Sequence, residues 1–406
     1  GYFSGGDTGS DTSLVTRLDF DNDTLSARLK GPLAVATRHH RGFSSLNHGY
    51  FGGGFPGAKS TVTRIDYAND GNVTSPKGNL NNNVTAAAAT SNQSYGWYGG
   101  GNTPSQSSYV DRIDFANDTA TASARGYLDK AIREHAATGN ANFGWFAGGS
   151  QWPAPSPGDS PKSWVQRFDY NSDTTTAILK GNLSNRRKQF SGAGNKDYGW
   201  YAGGYNADPG GNNYLSSIDR IDYSNDTATS LLRGPLTSNR NYHAGTSNQS
   251  YGYFNGGKNP SSPAIVSTVD RVDFSNDTIG TSPKGTMSYS GYKNAACSSQ
   301  ADGLQNVKIP PYNTFGSPST GYIGGGAIIP GYTKLTTVER IDYSNDTANA
   351  SVKGSLTAAR WYIMATSSTS HGYWMGGKDA SNAAVSTVNR LDYANDTTTA
   401  SARGPL

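Results

Sequence analysis

The alternation Asp19-Phe20-Asp21-Asn22-Asp23 is the chain's densest set of hard oxygen donors, and Ca²⁺ is the ion such donors suit. Asp19, Asp21 and Asp23 are therefore the candidate metal ligands, and calcium the one candidate cofactor. Asp169-Tyr170-Asn171-Ser172-Asp173 is a weaker copy. No glutamate follows to close such a loop, so a turn held by aspartate side chains is the competing reading. Six histidines occur, at His39, His40, His48, His135, His243 and His371. His135 and His243 hold equivalent places in a repeat, which favours packing over metal binding. The single cysteine, Cys297, lies among small residues and reads as a buried thiol. No Gly-x-Ser-x-Gly elbow is present. Glutamate occurs only at Glu134 and Glu339, so paired catalytic carboxylates would be mainly aspartates. These residues point away from catalysis.

A second group of residues could bind without catalysing. The connections after successive Gly-Gly pairs differ from one another and carry Trp152, Trp164, Tyr205, Tyr214 and Tyr332. Rigid aromatic surfaces of this kind stack on sugar rings or on a partner protein. Variable connections on a rigid scaffold are where binding is usually built. A longer insertion near 298–320, containing Val307-Lys308-Ile309-Pro310-Pro311-Tyr312, is a candidate docking arm between the first two strands of one sheet.

The elements that must hold these residues come from a repeat. The phrase Arg-Ile-Asp-Tyr-Ser-Asn-Asp-Thr recurs eight times with small changes, its first Asp at Asp19, Asp66, Asp114, Asp169, Asp222, Asp273, Asp342 and Asp392. An aromatic-Gly-Gly phrase precedes each, as in Gly96-Trp97-Tyr98-Gly99-Gly100, and a Lys/Arg-Gly pair follows. Val110-Asp111-Arg112-Ile113-Asp114-Phe115 alternates close to period two, which predicts a strand with one buried face. Asn-Asp-Thr ends that strand because Asn and Asp bond their own backbone in turns. That fixed place also argues against Asn-x-Thr as a glycan acceptor. Four short strands in about 50 residues, repeated eight times, predict propeller blades. The expected architecture is one all-β domain over residues 1–406, with eight four-stranded blades starting near 1, 49, 95, 143, 198, 251, 321 and 372. Seven blades is the rival count. The first unit lacks its first strand, so a strand after Leu406 or before Gly1 is expected to complete it, and the sequence reads as an excerpt.

Composition agrees. Charged residues are 16%, against about 25% in typical domains. Half of those charges sit at fixed places in the repeat, so ion pairs within or between blades are expected rather than eight active sites. The net charge of +4 is spread without a basic block, which disfavours a nucleic-acid partner. No run of 18 apolar residues exists, so membrane insertion by a helix is not expected.

The strand order resembles the kelch repeat family. Arg240, His243 and Ala244 match its basic-x-x-His-Ala stretch. Tyr251 to Gly257, Asp273-Phe274 and Asn276-Asp277-Thr278 follow in its order, and Pro32-Leu33, Pro235-Leu236 and Pro405-Leu406 match its closing stretch. The Trp that follows the turn in kelch repeats is absent here. The wording at Tyr223 to Thr229 and Tyr343 to Asn349, with phrases such as Gly-Tyr-Phe-Gly-Gly-Gly, resembles virion structural proteins of marine tailed phages, cyanophages especially. That resemblance implies a tail or fibre component at the virion surface, without enzymatic activity, in contact with other virion proteins and a host-surface glycan. A bacterial lectin or glycan-active enzyme is the alternative.

Overall fold

The computed structural model describes residues 1–151, 160–207, 213–260, 264–301, 320–328, 333–343, 347–368 and 370–406. The chain divides into two compact units, Gly1–Val307 and Lys308–Leu406. Strand makes up 48% and helix 5%, the helical part being single 3-10 turns, so the class is all-β as the alternation required.

Among the described residues, the first unit holds six antiparallel sheets built on four strands, together with two two-stranded ribbons. Sheet 2 runs Arg41–Ser44, His48–Gly52, Val62–Asp66, Ser75–Pro76, and sheet 3 runs Ala88–Ser91, Tyr95–Gly99, Tyr109–Asp114, Ser123–Tyr127. Sheet 4 runs Ala136–Gly139, Phe143–Ala147, Ser160–Asp169, Ile178–Arg187. Sheet 5 runs Ser191–Gly194, Tyr198–Ala202, Ile218–Asp222, Leu231–Arg233, and sheet 6 runs Ala244–Ser247, Tyr251–Asn255, Val269–Asp273, Ser282–Pro283. Sheet 1 draws Tyr2–Ser4, Val15–Arg17 and Arg28–Lys30 from the start of the chain and Ala295–Cys297 from far downstream. Tyr2 pairs with Cys297 and Ser4 with Ala295.

This last pairing corrects the expectation of a strand beyond Leu406 or before Gly1, because residues 295–297 supply it. It also corrects the role given to the long insertion. Ala295–Cys297 does not pair with Thr320–Gly324; it belongs to sheet 1. The proposed arm residues Val307 to Tyr312 lie outside the described residues. In the second unit, Thr320–Gly324, Thr337–Asp342 and Ser351–Ser355 form one described sheet. Met364–Ser367, His371–Met375, Thr387–Asp392 and Ser401–Pro405 form another.

First strands neighbour one another in chain order from sheet 2 to sheet 6, and Ala295–Cys297 neighbours both Ala244–Ser247 and Arg41–Ser44. Their small residues permit this approach: a Cβ on Gly42 would meet Ala296 O at 2.2 Å.

The repeated polar residues build the joints between sheets. The second Asp of each repeat phrase accepts from the third-strand Arg of the preceding sheet at 2.6–3.1 Å: Arg17–Asp70, Arg64–Asp118, Arg112–Asp173, Arg167–Asp226 and Arg220–Asp277. Arg271 of sheet 6 reaches Asp23 of sheet 1 in the same way at 2.8 Å. A second basic residue, as in Lys30, Lys77 and Lys180, approaches the same carboxylate. A second-strand aromatic completes the joint: its ring stacks on the Tyr or Phe of the next sheet while its O–H or indole N–H donates to the same Asp. Trp145 shows both, stacked on Tyr223 at 3.8 Å and bonded to Asp226 at 2.9 Å. Such stacking adds about 0.5–1.5 kcal/mol to the burial of the ring. The Lys/Arg-Gly glycine is needed for a third reason. Gly126 N–H donates to Asp173 O at 2.7 Å, and a Cβ there would stand 1.9 Å from Thr175 O.

The first Asp of the phrase does a different job. Asp222 caps a 3-10 turn, its carboxylate accepting from Ser224 N at 2.9 Å. Sequence reasoning foresaw turn bonds and ion pairs, and the structure divides them between the two aspartates.

Candidate functional site

Two residues before each first strand of the first unit, the chain turns through the left-handed region. The six residues are His39, Ala86, Glu134, Gln189, Tyr242 and Lys293, with φ between 54° and 60°. Each N–H donates to the carbonyl of the preceding member: Ala86 to His39, Glu134 to Ala86, Gln189 to Glu134, Tyr242 to Gln189, Lys293 to Tyr242, and His39 back to Lys293, all at 2.6–3.1 Å. The cycle satisfies six backbone donors at one end of the first strands. Left-handed backbone costs a non-glycine residue about 1–2 kcal/mol, and glycine would remove that cost. Yet no position is Gly and no two side chains are alike, in a chain whose joints are nearly uniform.

The side chains other than Ala86 form a connected cluster. Glu134 accepts from Gln189 Nε2 at 3.0 Å and from the Tyr242 hydroxyl at 2.8 Å, with Lys188 Nζ at 3.9 Å. Lys293 Nζ lies 5.1 Å from the Tyr242 ring centre and 4.8 Å from that of Tyr292. His39 stands edge-on to Tyr242 at 5.3 Å. Burial, aided by the charges of Lys293, Arg41 and Arg38, pushes the His39 pKa down to about 2. Burial also lowers that of Lys293. The arrangement offers a carboxylate, an ammonium, an amide and a phenol within one patch.

The variable connections attach to this patch. Single bridges join Arg38 to Phe55, Thr85 to Asn102, Arg133 to Ser150, Lys188 to Tyr205, Asn241 to Lys258 and Tyr292 to Asp7. Each first partner directly precedes a member of the cycle. Tyr205 and Tyr214 face each other across a short ribbon, ring centres 5.6 Å apart, with Lys188 Nζ 5.7 Å from Tyr205. The base of that connection is clamped by Arg187, which is fully buried. It donates to Gly203 O and Ser217 O at 2.9 Å and pairs with Asp219. Arg240 repeats the clamp with Asp270 at 3.0 Å.

Trp164, expected in a connection, stands instead inside strand Ser160–Asp169, opposite Asn182, half-buried against the core around Phe168. Trp152 and Tyr332 lie outside the described residues. The calcium candidates do not converge. Asp19 caps a turn by accepting from Asp21 N, Asp21 is its exposed neighbour, and Asp23 is held by Arg271, Lys284 and Tyr253. Among the described residues, no group of three His, Cys, Asp or Glu is placed to hold a metal ion. His135 and His243 are buried, where desolvation pushes the first down to about 3 and the second well below its ordinary value. Cys297 is buried, its pKa pushed up to about 12 by desolvation. No described helix is long and apolar enough to cross a membrane.

Sequence reasoning missed the cycle. The available signal was positional: the residue ahead of each small-residue strand changes from repeat to repeat while its surroundings do not. No protein-family model matches the chain, and no curated protein is similar to it.

Proposed function

We propose that residues 1–301 form a six-bladed, kelch-like β-propeller serving as a non-enzymatic recognition module. In this reading the eight repeats divide as six and two, the last two belonging to the second unit. The cyclic succession of joints, with Arg271 meeting Asp23 and Ala295–Cys297 completing sheet 1, supports the count of six. The module would sit on the surface of a phage particle among other virion proteins. Its variable connections would face a host-surface glycan or a partner protein, and many copies per particle would raise avidity. The wording of the repeat supports that setting.

One observation carries the binding assignment. Residues that recur are consumed in joints, while residues that differ gather at one end of the first strands. Tyr205 and Tyr214 on their clamped ribbon are the described aromatic pair best placed to stack on a sugar. The test is a glycan array with whole-cell binding to marine cyanobacteria, using the chain and a Tyr205→Ala/Tyr214→Ala variant. We expect binding by the chain, roughly 5- to 150-fold weaker binding by the variant and an unchanged Tm, since two stacking contacts are worth roughly 1–3 kcal/mol. No binding to any glycan or cell, or equal binding by both proteins, would overturn the assignment.

A further inference from the structure

The second unit makes the intersheet joint once and leaves an open half on each of its two sheets. Asp396 of the sheet containing Met364–Ser367, here sheet 8, receives Arg340 at 2.8 Å and the Tyr322 hydroxyl at 3.0 Å. Both donors belong to the sheet containing Thr320–Gly324, here sheet 7, and Tyr322 stacks on Tyr393 at 4.7 Å. Sheet 8 carries the donor half of a further joint. Tyr373 pairs with Arg390 as Trp200 pairs with Arg220 in sheet 5, and Arg403 stands opposite Val388 as Arg233 stands opposite Ile218. In sheet 5 those three donors hold Asp277 at 2.7–3.3 Å. In sheet 8, among the described residues, no carboxylate is paired with Tyr373, Arg390 or Arg403.

The glycine of the joint reports the same openness. A Cβ on Gly31, Gly78, Gly126, Gly181, Gly234 or Gly285 would collide with the backbone of the next sheet's turn, and one on Gly354 with that of Thr398. A Cβ on Gly404 would meet nothing within 4 Å. The acceptor half lies open on sheet 7. Tyr343 follows Asp342 as Tyr223 follows Asp222, yet Tyr223 is 8% exposed beneath Trp145 and Tyr343 is 56% exposed. The phrase Tyr343 opens carries the repeat's Asn-Asp in the sequence. The first strand Met364–Ser367 is exposed along its length, whereas Ser191–Gly194 of sheet 5 is mostly buried. Arginines with a phenol on one side and an uncovered aromatic ring on the other are complementary to each other.

We propose that copies of this chain join head to tail through the second unit, sheet 8 of one copy receiving sheet 7 of the next. Tyr373 stacks on the next copy's Tyr343, Arg390 and Arg403 face its repeat phrase, and Gly404 admits the turn. The occupant is a second copy because the contact is one this chain already makes, six times in the first unit and once in the second. Two unlike halves on one unit make the contact heterologous, and such contacts close into a ring when the rotation allows. Two sheets per copy, against six in the first unit, set the closed number at three; that number alone rests on the six-bladed reading above.

The test is sedimentation velocity of the full chain from about 1 to 100 µM, where association follows mass action. We expect a species of three chains, each of 42.8 kDa. Gly404→Ala and Tyr343→Ala should each weaken it at least ~10-fold, one by overpacking every joint and the other by removing its ring. The urea midpoint of dilute Gly404→Ala should match that of the unaltered chain, so lost association is not lost folding. An equimolar mixture of the two variants should yield a two-chain species, because each supplies the half the other lacks. A single chain at every concentration, association unchanged in both variants, or no two-chain species in the mixture would overturn the proposal. A joint-dependent species of another size would overturn closure at three, while the coupling of Asp23 to Arg271 reports the first unit's own closure separately. Should Tyr343→Ala fail to fold, Gly404→Ala decides alone, and association equal to that of the unaltered chain refutes the joint.

Discussion

The two aspartates of each repeat phrase lie four residues apart, and their removal should have unequal consequences. Asp226 is 6% exposed and receives Arg167 at 3.1 Å, Lys180 at 3.4 Å and the Trp145 indole at 2.9 Å. Asp226→Ala leaves all three donors without that acceptor. Breaking one side of a fully buried pair costs about 3–5 kcal/mol. The Arg167 and Lys180 side chains keep 26% and 14% of their surface, so they recover part of their hydration. The fully buried indole does not, and a stranded buried donor costs about 1–3 kcal/mol. The expected total is about 3 kcal/mol, or roughly 6–10 °C in Tm. Asp222→Ala removes only an exposed cap, worth about 1 kcal/mol or less. Urea unfolding followed by tryptophan fluorescence measures both. Equal losses at the two positions, or a loss below about 1 kcal/mol at Asp226, would refute the division of labour drawn here.

Burial holds His40 and His135 near pKa 3, while the unfolded chain titrates near 6.5. The unfolded state therefore takes up protons first as pH falls. Stability should be complete above about pH 6.5 and decline by about 1.4 kcal/mol per pH unit per histidine below it, until the folded pKa is reached. Urea midpoints from pH 7 to 4 test this, and His135→Gln should flatten the slope by one proton's worth; a level profile would count against it. Gly126→Ala should cost at least ~2 kcal/mol by forcing two sheets apart, while Gly404→Ala, with open space around its Cβ, should cost almost nothing. Denaturation curves of the two variants compare them directly. The Cys297 thiol should react with an aromatic disulfide reagent only when the protein unfolds. Rapid reaction of the native chain would show the strand at 295–297 to be open.

The strands and joints were legible because each carries a local mark. Period-two alternation gives the strand, Asn-Asp the turn, Gly-Gly the strand end. The regular spacing of Arg, Asp and Lys announced a framework, although not that Asp226 serves the neighbouring sheet and Asp222 its own turn. Pairing partners were not legible. Tyr2-Phe3-Ser4-Gly5-Gly6 and Tyr322-Ile323-Gly324-Gly325-Gly326 present nearly the same pattern to Ala295–Cys297. Loop length discriminates weakly between them, because closure entropy grows only logarithmically. The cycle from His39 to Lys293 was hidden for another reason. Left-handed turns usually advertise themselves with Gly or Asn, and here they carry His, Ala, Glu, Gln, Tyr and Lys. Trp164 was misplaced because its strand extends back to Ser160, beyond the alternation that marks it.

Closure of the six sheets on themselves is the central claim, and Asp23 with Arg271 is its most exposed point, 248 residues apart in sequence. A double-mutant cycle with Asp23→Asn and Arg271→Met isolates their interaction. The account predicts a coupling of about 1–3 kcal/mol, similar to that of the Asp226 and Arg167 pair in the interior of the series. Coupling within about 0.3 kcal/mol of zero for Asp23 and Arg271, beside clear coupling for Asp226 and Arg167, would contradict it.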